Sequence, residues 1–198
     1  MTSTHAYRQT GCLIVLLGML SCSEPDSEIS FDHSGLERLD INKLQPLADA
    51  GNADAQFALG MIYAAGDEIP QDLPQALIWL RRAAEQGHPQ AQYEFASFYI
   101  REGSNQDLAE AVKWLRRSAE QGYPRAQLTL GMLYAAGQGV DQDMAEAYAW
   151  VSLAGQTGDE MAVKALRQIT NVLRDDELAR ALELAADYQR RYKKSVKR

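Results

Sequence analysis

The sequence predicts an all-α protein, a solenoid of stacked helix-turn-helix repeats. The segment Ala55–Tyr63 (AQFALGMIY) returns as Ala91–Tyr99 (AQYEFASFY) and again as Ala126–Tyr134 (AQLTLGMLY), a period of about 36 residues. Tryptophan and glycine recur with the same step, at Trp79, Trp114 and Trp150 and at Gly51, Gly87, Gly122 and Gly158. Because one unit of this size cannot bury its apolar face alone, the units are expected to stack around a continuous core.

Each repeat contains two amphipathic helices. In the first, over Gln56–Ala65, apolar residues fall at Leu59, Ile62 and Tyr63, a spacing typical of a helix. In the second, over Leu73–Glu85, the stripe consists mostly of alanine and leucine, and small residues let helices approach closely. Large aromatic side chains are expected to fill the space beside them and form the structural core of the repeats: Tyr63, Trp79, Tyr99, Trp114, Tyr134 and Trp150.

Turn residues mark the helix ends. Asp72, Asp107 and Asp143 each precede a second helix, where a carboxylate caps exposed backbone N–H groups. The glycine that follows each second helix can adopt the positive φ that ends a helix. Pro89 and Pro124 then begin the next helix in its first turn, the helical position where proline is tolerated.

The third repeat carries the fullest motif. Its residues resemble the Sel1-like repeat, a relative of the tetratricopeptide repeat, at Gln127, Leu130, Gly131, Tyr134, Gly137, Gly139, Val140, Asp143, Ala147, Trp150 and Ala154. The first repeat departs from the pattern at Glu68 and Ile69, and the second has Ala96 and a loop one residue shorter. The resemblance implies a right-handed α-solenoid for protein–protein contact, with repeats at about 52–87, 88–122 and 123–158, and it implies no chemistry.

Partial units close both ends of the predicted solenoid, which spans residues 36–192. Residues 39–50 align with the second helix of a missing earlier repeat and are expected to form a cap helix. Residues 159–192 form the C-terminal caps: a fourth first-type helix over Glu160–Leu173 and a final helix reaching Tyr192. The final helix carries a predicted apolar stripe of Leu178, Ala181, Leu182, Ala185 and Tyr188. Caps are needed because end repeats otherwise expose their stacking faces.

The N-terminus has the layout of a lipoprotein signal over residues 1–21. The apolar run Gly11–Leu20 is too short to span a bilayer as a helix. Cys22, which follows it, resembles the lipidated cysteine of the bacterial lipobox, and residues 22–35 form an acidic, flexible tether. Ser23 favours the outer membrane, so we expect a lipid-anchored protein on the periplasmic face of the envelope. An ordinary cleaved signal, which gives a soluble periplasmic protein, and an uncleaved anchor are the alternatives.

The charge distribution excludes one class of partner. The chain has a net charge of -7, and its acidic body argues against nucleic acid. The basic tail, residues 193–198, either contacts an acidic partner or anionic lipid, or is a solvated helix end.

No catalytic or metal-binding motif is present, so we predict a non-enzyme without cofactor or metal. His33 lies in the tether, and His88 lies at an inter-repeat turn position that carries other residue types in the other repeats. Asp141 and Asp143 form a D-x-D pair without the spacing of a calcium loop. Cys12 leaves with the signal, so the repeats contain no disulfide framework.

A protein partner is expected on the concave face, which the first helices line in this superfamily. Helical phase predicts that the contact residues are Ala58, Met61, Glu94, Ser97, Arg101, Thr129 and Met132. Methionine adapts readily at interfaces, although Met61 and Met132 are equally compatible with sideways packing on the next helix. Phe57, Tyr93 and Leu128 are expected in the core.

These features favour a non-catalytic scaffold or adaptor, tethered by lipid in the cell envelope. Two alternatives stay open. One is a periplasmic enzyme acting on cell-wall or antibiotic substrates, and the other is an inhibitor-like binder of a secreted enzyme.

Overall fold

The computed structural model describes residues 41–67, 69–102 and 105–192, all within the compact unit Ser34–Arg198. The signal, Cys22, the tether and the basic tail lie outside the described residues. The described part of the chain is helical and contains no strand, which confirms the all-α prediction. Its helices are α1 Ile41–Asp49, α2 Ala53–Ala65, α3 Leu73–Glu85, α4 Pro89–Glu102, α5 Asn105–Glu120, α6 Pro124–Ala136, α7 Met144–Gly155, α8 Glu160–Val172 and α9 Asp175–Tyr192.

Each helix from α1 to α7 packs against the next one along the chain. The pairs α2–α3, α4–α5 and α6–α7 are the three helix-turn-helix repeats. α1 packs on α2, and α8 packs on α7. The order of packing follows the order of the sequence, as expected for a solenoid in which each repeat contacts its neighbours.

Capping residues set the helix boundaries. Asp72 and Asp143 are N-caps, and their side chains accept hydrogen bonds from Gln75 N and from Ala145 N and Glu146 N. The capping role predicted for Asp107 is wrong, because α5 begins at Asn105 and Asp107 lies within its first turn. The helix start therefore lies three positions earlier relative to this aspartate than in α3 and α7.

Glycine allows the two helices of a repeat to approach each other. A Cβ atom on Gly60 would lie 2.7 Å from Leu80 Cγ, and one on Gly131 would lie 2.6 Å from Val151 Cγ2 and 2.9 Å from Ala147 O. Any side chain at these positions would therefore push the second helix away.

Buried glutamines join consecutive repeats. Gln56, Gln92 and Gln127 each occupy the same position in a first helix, and each donates through Nε2 to a carbonyl oxygen in the last turn of the preceding second-type helix. The acceptors are Ala48 O (2.9 Å), Ala84 O (3.1 Å) and Ala119 O (3.1 Å). Gln86 and Gln121 donate in turn to the side chains of Gln56 and Gln92. We call this series the glutamine ladder. It satisfies polar groups between repeats and fixes their register.

The last helix departs from the repeat pattern. α9 packs against α7 and makes almost no contact with α8, the helix that precedes it. The fully buried ring of Trp150 contacts Tyr188 (centroids 4.7 Å apart) and Tyr192 (5.5 Å). The Tyr188 hydroxyl donates to the carboxylate of Glu146 at 2.9 Å. Aromatic packing and a hydrogen bond thus hold α9 on the last complete repeat.

The apolar stripe predicted on α9 is wrong in one member. Leu182 is 51% exposed, whereas Leu184 packs against the core beside Ala185. α9 is rotated so that Ala181, Leu184 and Tyr188 face α7 and Leu182 faces outward. None of the described helices combines the length and the apolar character that a bilayer span requires.

Candidate functional site

The exposed side of the first-type helices is the candidate binding surface. Equivalent positions on α2, α4, α6 and α8 form rows across this side, which we call the first-helix face. The rows are Ala58, Glu94, Thr129 and Ala165; then Met61, Ser97, Met132 and Gln168; then Ala65, Arg101, Ala136 and Val172.

The seven predicted contact residues lie on this face. Arg101 is exposed, and the other six are half-buried: Ala58, Met61, Glu94, Ser97, Thr129 and Met132. Met61 packs against the main core, which is the sideways packing that the sequence left open for it. The hydroxyl of Ser97 donates a hydrogen bond to Tyr93 O of its own helix at 3.0 Å. The chemistry of the face therefore changes from helix to helix.

Glu94 is the electrostatic centre of the face. Burial raises the pKa of its carboxyl group, and the positive charges of Arg125 and Arg101 oppose that rise. Its carboxylate forms no hydrogen bond or ion pair with the described residues. A partly desolvated carboxylate without such a bond destabilises the fold, since desolvation penalises its charged form.

Two arginines interact with Glu94 through their charge. The guanidinium of Arg101 lies over the ring of Phe98, 4.6 Å from its centroid. Burial raises the pKa of the Tyr123 hydroxyl, and the positive charge of Arg125 acts against that rise. Neither arginine forms an ion pair with the Glu94 carboxylate.

Aromatic residues border the charged centre. Tyr93 and Tyr123 pack edge to face with centroids 5.3 Å apart. Phe57 stacks on the imidazole of His88 at 4.7 Å. The sequence placed Phe57, Tyr93 and Leu128 in the core, and the structure shows all three half-buried, packed on the core from its edge. Part of each side chain therefore belongs to the surface.

The sequence suggested that His88 is a surface turn residue. In the structure it caps the start of a helix. Its Nδ1 atom accepts a hydrogen bond from Ala91 N at 3.1 Å, and its Nε2 atom lies 3.3 Å from Asp54 Oδ1. Burial lowers the pKa of the imidazole, although Asp54 acts in the opposite direction. Asn52 and Asp159 cap at the equivalent positions, so the role is structural.

Sequence reasoning did not predict that α8 belongs to the first-helix face. It also did not predict that Tyr123, just before α6, and Arg125, within α6, interact with Glu94. Met161 is 55% exposed and Val172 is 52% exposed, and both extend the first-helix face by one helix. The 36-residue period aligns α8 with α6 and is the signal that identifies them. Arg125 and Tyr123 follow from the same period, but their electrostatic interaction with Glu94 does not.

The six aromatic residues assigned to the repeat core differ in depth. Trp79, Trp114, Tyr134 and Trp150 are buried, whereas Tyr63 and Tyr99 are half-buried. Arg116 donates to the hydroxyl of Tyr134.

The part of the chain that the structure describes contains no group of three His, Cys, Asp or Glu side chains arranged for a metal ion. Asp143 of the D-x-D pair caps α7 and pairs with Arg180 at 2.7 Å. Depressions of about 510 Å³ and 530 Å³ lie on α9 and beside Gly139.

Comparison with known proteins gives one family. The family model for the Sel1 repeat matches residues 53–88, 89–123 and 124–159. The chain is similar to a Sel1 repeat protein from Oxalobacter formigenes of known crystal structure, with 39% identity and a TM-score of 0.59, over 65% of this chain and 97% of that chain. It is also similar to c5321, a protective antigen present in uropathogenic Escherichia coli strains that displays an SLR fold. That similarity is 25% identity and a TM-score of 0.47, over 78% of this chain and 42% of that chain.

Proposed function

Because the chain belongs to the Sel1 repeat family, whose repeats generally mediate contacts between proteins, we propose that it is a non-catalytic scaffold of the bacterial cell envelope. In this proposal, the first-helix face, the concave face expected from the sequence, binds a protein partner. A lipid on Cys22 tethers the protein to the periplasmic face of a membrane, and Ser23 favours the outer membrane.

One observation carries the binding proposal. Buried positions of the first helices are constant between repeats: alanine at 55, 91 and 126, and glutamine at 56, 92 and 127. Positions on the first-helix face differ, with alanine, glutamate and threonine in a single row. Each helix thus contributes different groups to one extended surface, which suits recognition of one particular partner.

The distribution of carboxyl groups supports binding over catalysis. Burial raises the pKa of the Glu94 carboxyl group, whereas the two carboxyl groups with lowered pKa values, Asp143 and Glu177, are paired with Arg180 and Arg174. Paired acid–base chemistry relies on two titratable groups with pKa values driven apart. Asp72, Asp143 and Asp159 are engaged as helix caps.

The binding proposal is tested by in-cell photocrosslinking from position 94. We expect one dominant envelope protein, identified by mass spectrometry. A photoreactive residue at position 113 is the control, because Lys113 is exposed on a second helix, α5, outside the first-helix face. Equal recovery of the same proteins from both positions would contradict binding at this face.

The tether is tested separately by detergent phase partition. The protein from cells should enter the detergent phase, and the Cys22→Ala variant should not. Recovery of the unaltered protein in the aqueous phase would refute the lipid anchor without bearing on the binding face.

A further inference from the structure

We propose that His88 is an acid-sensitive joint between the first and second repeats. Its neutral imidazole caps α4 and contacts α2. Protonation of the imidazole in mild acid removes the cap and loosens the first repeat from the rest of the solenoid. The joint is a property of the repeat boundary and does not depend on a partner at the first-helix face.

His88 contacts three helices at once. Its backbone N–H donates to Ala83 O of α3 at 3.1 Å, and its Nδ1 atom accepts from Ala91 N of α4 at 3.1 Å. Its Nε2 atom lies 3.3 Å from Asp54 Oδ1 of α2, and its ring stacks on Phe57 of the same helix. This one residue therefore links both helices of the first repeat to the helix that starts the second.

The two side-chain contacts of His88 form together only with a neutral ring. With its proton on Nε2, the ring accepts from Ala91 N through Nδ1 and donates to Asp54 through Nε2. In the protonated ring both nitrogen atoms are donors. Either orientation of that ring presents an N–H group to Ala91 N, so the hydrogen bond that caps α4 is lost.

The surroundings of His88 favour the neutral ring. Its side chain is 13% exposed, whereas that of Asp54 is 88% exposed, so water screens most of the aspartate charge. Burial lowers the pKa of the imidazole and outweighs Asp54, the charged group in the described part of the chain that acts on it; α3 and α4 contribute none. The stabilisation by the neutral ring is therefore complete above the ordinary histidine pKa, about 6.5, and declines as the pH falls from there towards the lower folded value.

The hydrophobic core divides close to this joint. A small buried cluster belongs to α1, α2 and α3 and is separate from the main core: Leu44, Ala48, Ala55, Leu59 and Trp79. The main core begins at Leu80 and continues through the later repeats. Gln92, in the first turn of α4, donates to Ala84 O across the repeat boundary. Fraying of that turn weakens this rung of the glutamine ladder, so we expect the first repeat to open before the others.

The test is hydrogen–deuterium exchange of the full chain, purified in detergent, at about pH 7.5 and about pH 5, corrected for the intrinsic exchange rate at each pH. These conditions bracket the histidine range and stay above the range in which aspartate titrates. We expect α2 and the start of α4 to lose protection about fivefold at the lower pH, the loss typical of one N-cap. Protection of α6 and α7 should not change.

The variant His88→Asn keeps the cap and removes the titration. Asn52 caps α2 at the equivalent position through its side-chain oxygen, and an amide does not titrate in this range. Protection of α2 in His88→Asn should therefore be the same at both pH values. The control Asn52→Ala removes a cap that does not titrate, so its loss of protection should be equal at both. Protonation of Glu94, whose pKa burial raises, affects the unaltered protein and His88→Asn alike.

Three results would overturn the proposed joint. They are protection of α2 that is independent of pH in the unaltered protein, an equal acid loss in α6 and α7, and an acid loss that persists in His88→Asn. If His88→Asn does not fold, an NMR titration of the unaltered protein decides. The amide signal of Ala91 should then shift with the same midpoint as the imidazole signal of His88, and an Ala91 signal that does not follow the imidazole would contradict the joint.

Discussion

The internal helix pair α6–α7 and the terminal pair α8–α9 begin alike and end differently. α6 and α8 are both first-type helices of 13 residues, one repeat apart. α7 packs closely on α6 at Gly131, whereas α9 leaves α8 and packs on α7. The position in α8 equivalent to Gly131 is Arg167, which is exposed. A long charged side chain there prevents the close approach that a second helix requires.

A second difference accompanies the first. Gln127 in α6 belongs to the glutamine ladder, and its equivalent in α8 is Val163, which cannot donate a hydrogen bond. The comparison relates the end of the solenoid to two positions of α8, Val163 and Arg167, where the internal first helix carries glutamine and glycine. The final helix is then free to cover the outer side of the last repeat, where Ala149 and Trp150 are fully buried.

The largest expected effect comes from replacing Gly131 of α6 by arginine, the residue at the equivalent position of α8. Gly131→Arg places a charged side chain where even a Cβ atom lies 2.6 Å from Val151. We expect a loss of more than about 3 kcal/mol in the free energy of unfolding, by overpacking and burial of charge. Urea denaturation measures it. The matched change Arg167→Ala should stay within about 0.5 kcal/mol, and similar losses in both variants would refute the comparison.

Removing the anchor of α9 should have the next largest effect. Trp150→Ala should destabilise the protein by about 3–5 kcal/mol and should abolish hydrogen-exchange protection in α9, because Tyr188 and Tyr192 lose their partner. Trp79→Ala is the control. It removes a buried tryptophan from a separate cluster with Leu44 and Leu59 and should leave α9 protected. Retained protection of α9 in Trp150→Ala would show that other contacts hold the helix.

The helix caps allow a finer comparison. Asp143→Ala should cost about 1–2 kcal/mol and Asp159→Ala about 1 kcal/mol or less, because Asp143 also pairs with Arg180 of α9. Partial burial is the largest single influence on Asp143 and raises its pKa. Bonds from Glu146 N and Arg180, with others, outweigh this influence and lower the pKa.

The lowered pKa of Asp143 gives a pH dependence with a definite sign. The stabilisation by its carboxylate is present above the ordinary aspartate range, about pH 4, and is lost as the pH falls through the lower folded value. The difference in unfolding free energy between the unaltered protein and Asp143→Ala should therefore shrink in acid. A difference that is constant from neutral pH to pH 2 would contradict this role.

The smallest expected effect concerns the first-helix face, to which both α4 and α8 contribute. Glu94→Gln should stabilise the protein slightly at neutral pH, whereas a change of Ala165, its equivalent in α8, removes no charge. Burial raises the pKa of Glu94 in the folded state, so its ionised form opposes folding as the pH rises through that value. The gain in melting temperature should be present at pH 7 and vanish in acid below the ordinary glutamate range. A variant less stable than the unaltered protein at pH 7 would indicate an intramolecular bond to Glu94.

Much of the fold could be predicted from the sequence, because the 36-residue period fixes which positions are equivalent. The positions of Pro89 and Pro124 at helix starts followed from local backbone rules. The capping role of Asp107 did not, because α5 begins two residues before this aspartate. The orientation of α9 about its own axis could not be predicted either. A stripe through Leu182 and one through Leu184 both fit a helix, and only contact with α7 decides between them.

The candidate site was predictable in position but not in chemistry. Helical phase placed Glu94 and Arg101 on the same face. Phase cannot show that Arg101 lies over Phe98 and leaves the carboxylate without a bond, because this depends on which of several rotamers packs best. The addition of α8 to the face required only extension of the period by one helix.

The glutamine ladder has a consequence for the evolution of the molecule. Each rung joins the last turn of one repeat to the first helix of the next, so a duplicated stretch of one period inserted within the array brings a complete new rung with it. A stretch added after α8 meets Val163 and Arg167 and finds neither a donor nor room for a partner helix. An array of this design therefore accommodates a duplicated unit in its interior more readily than after α8.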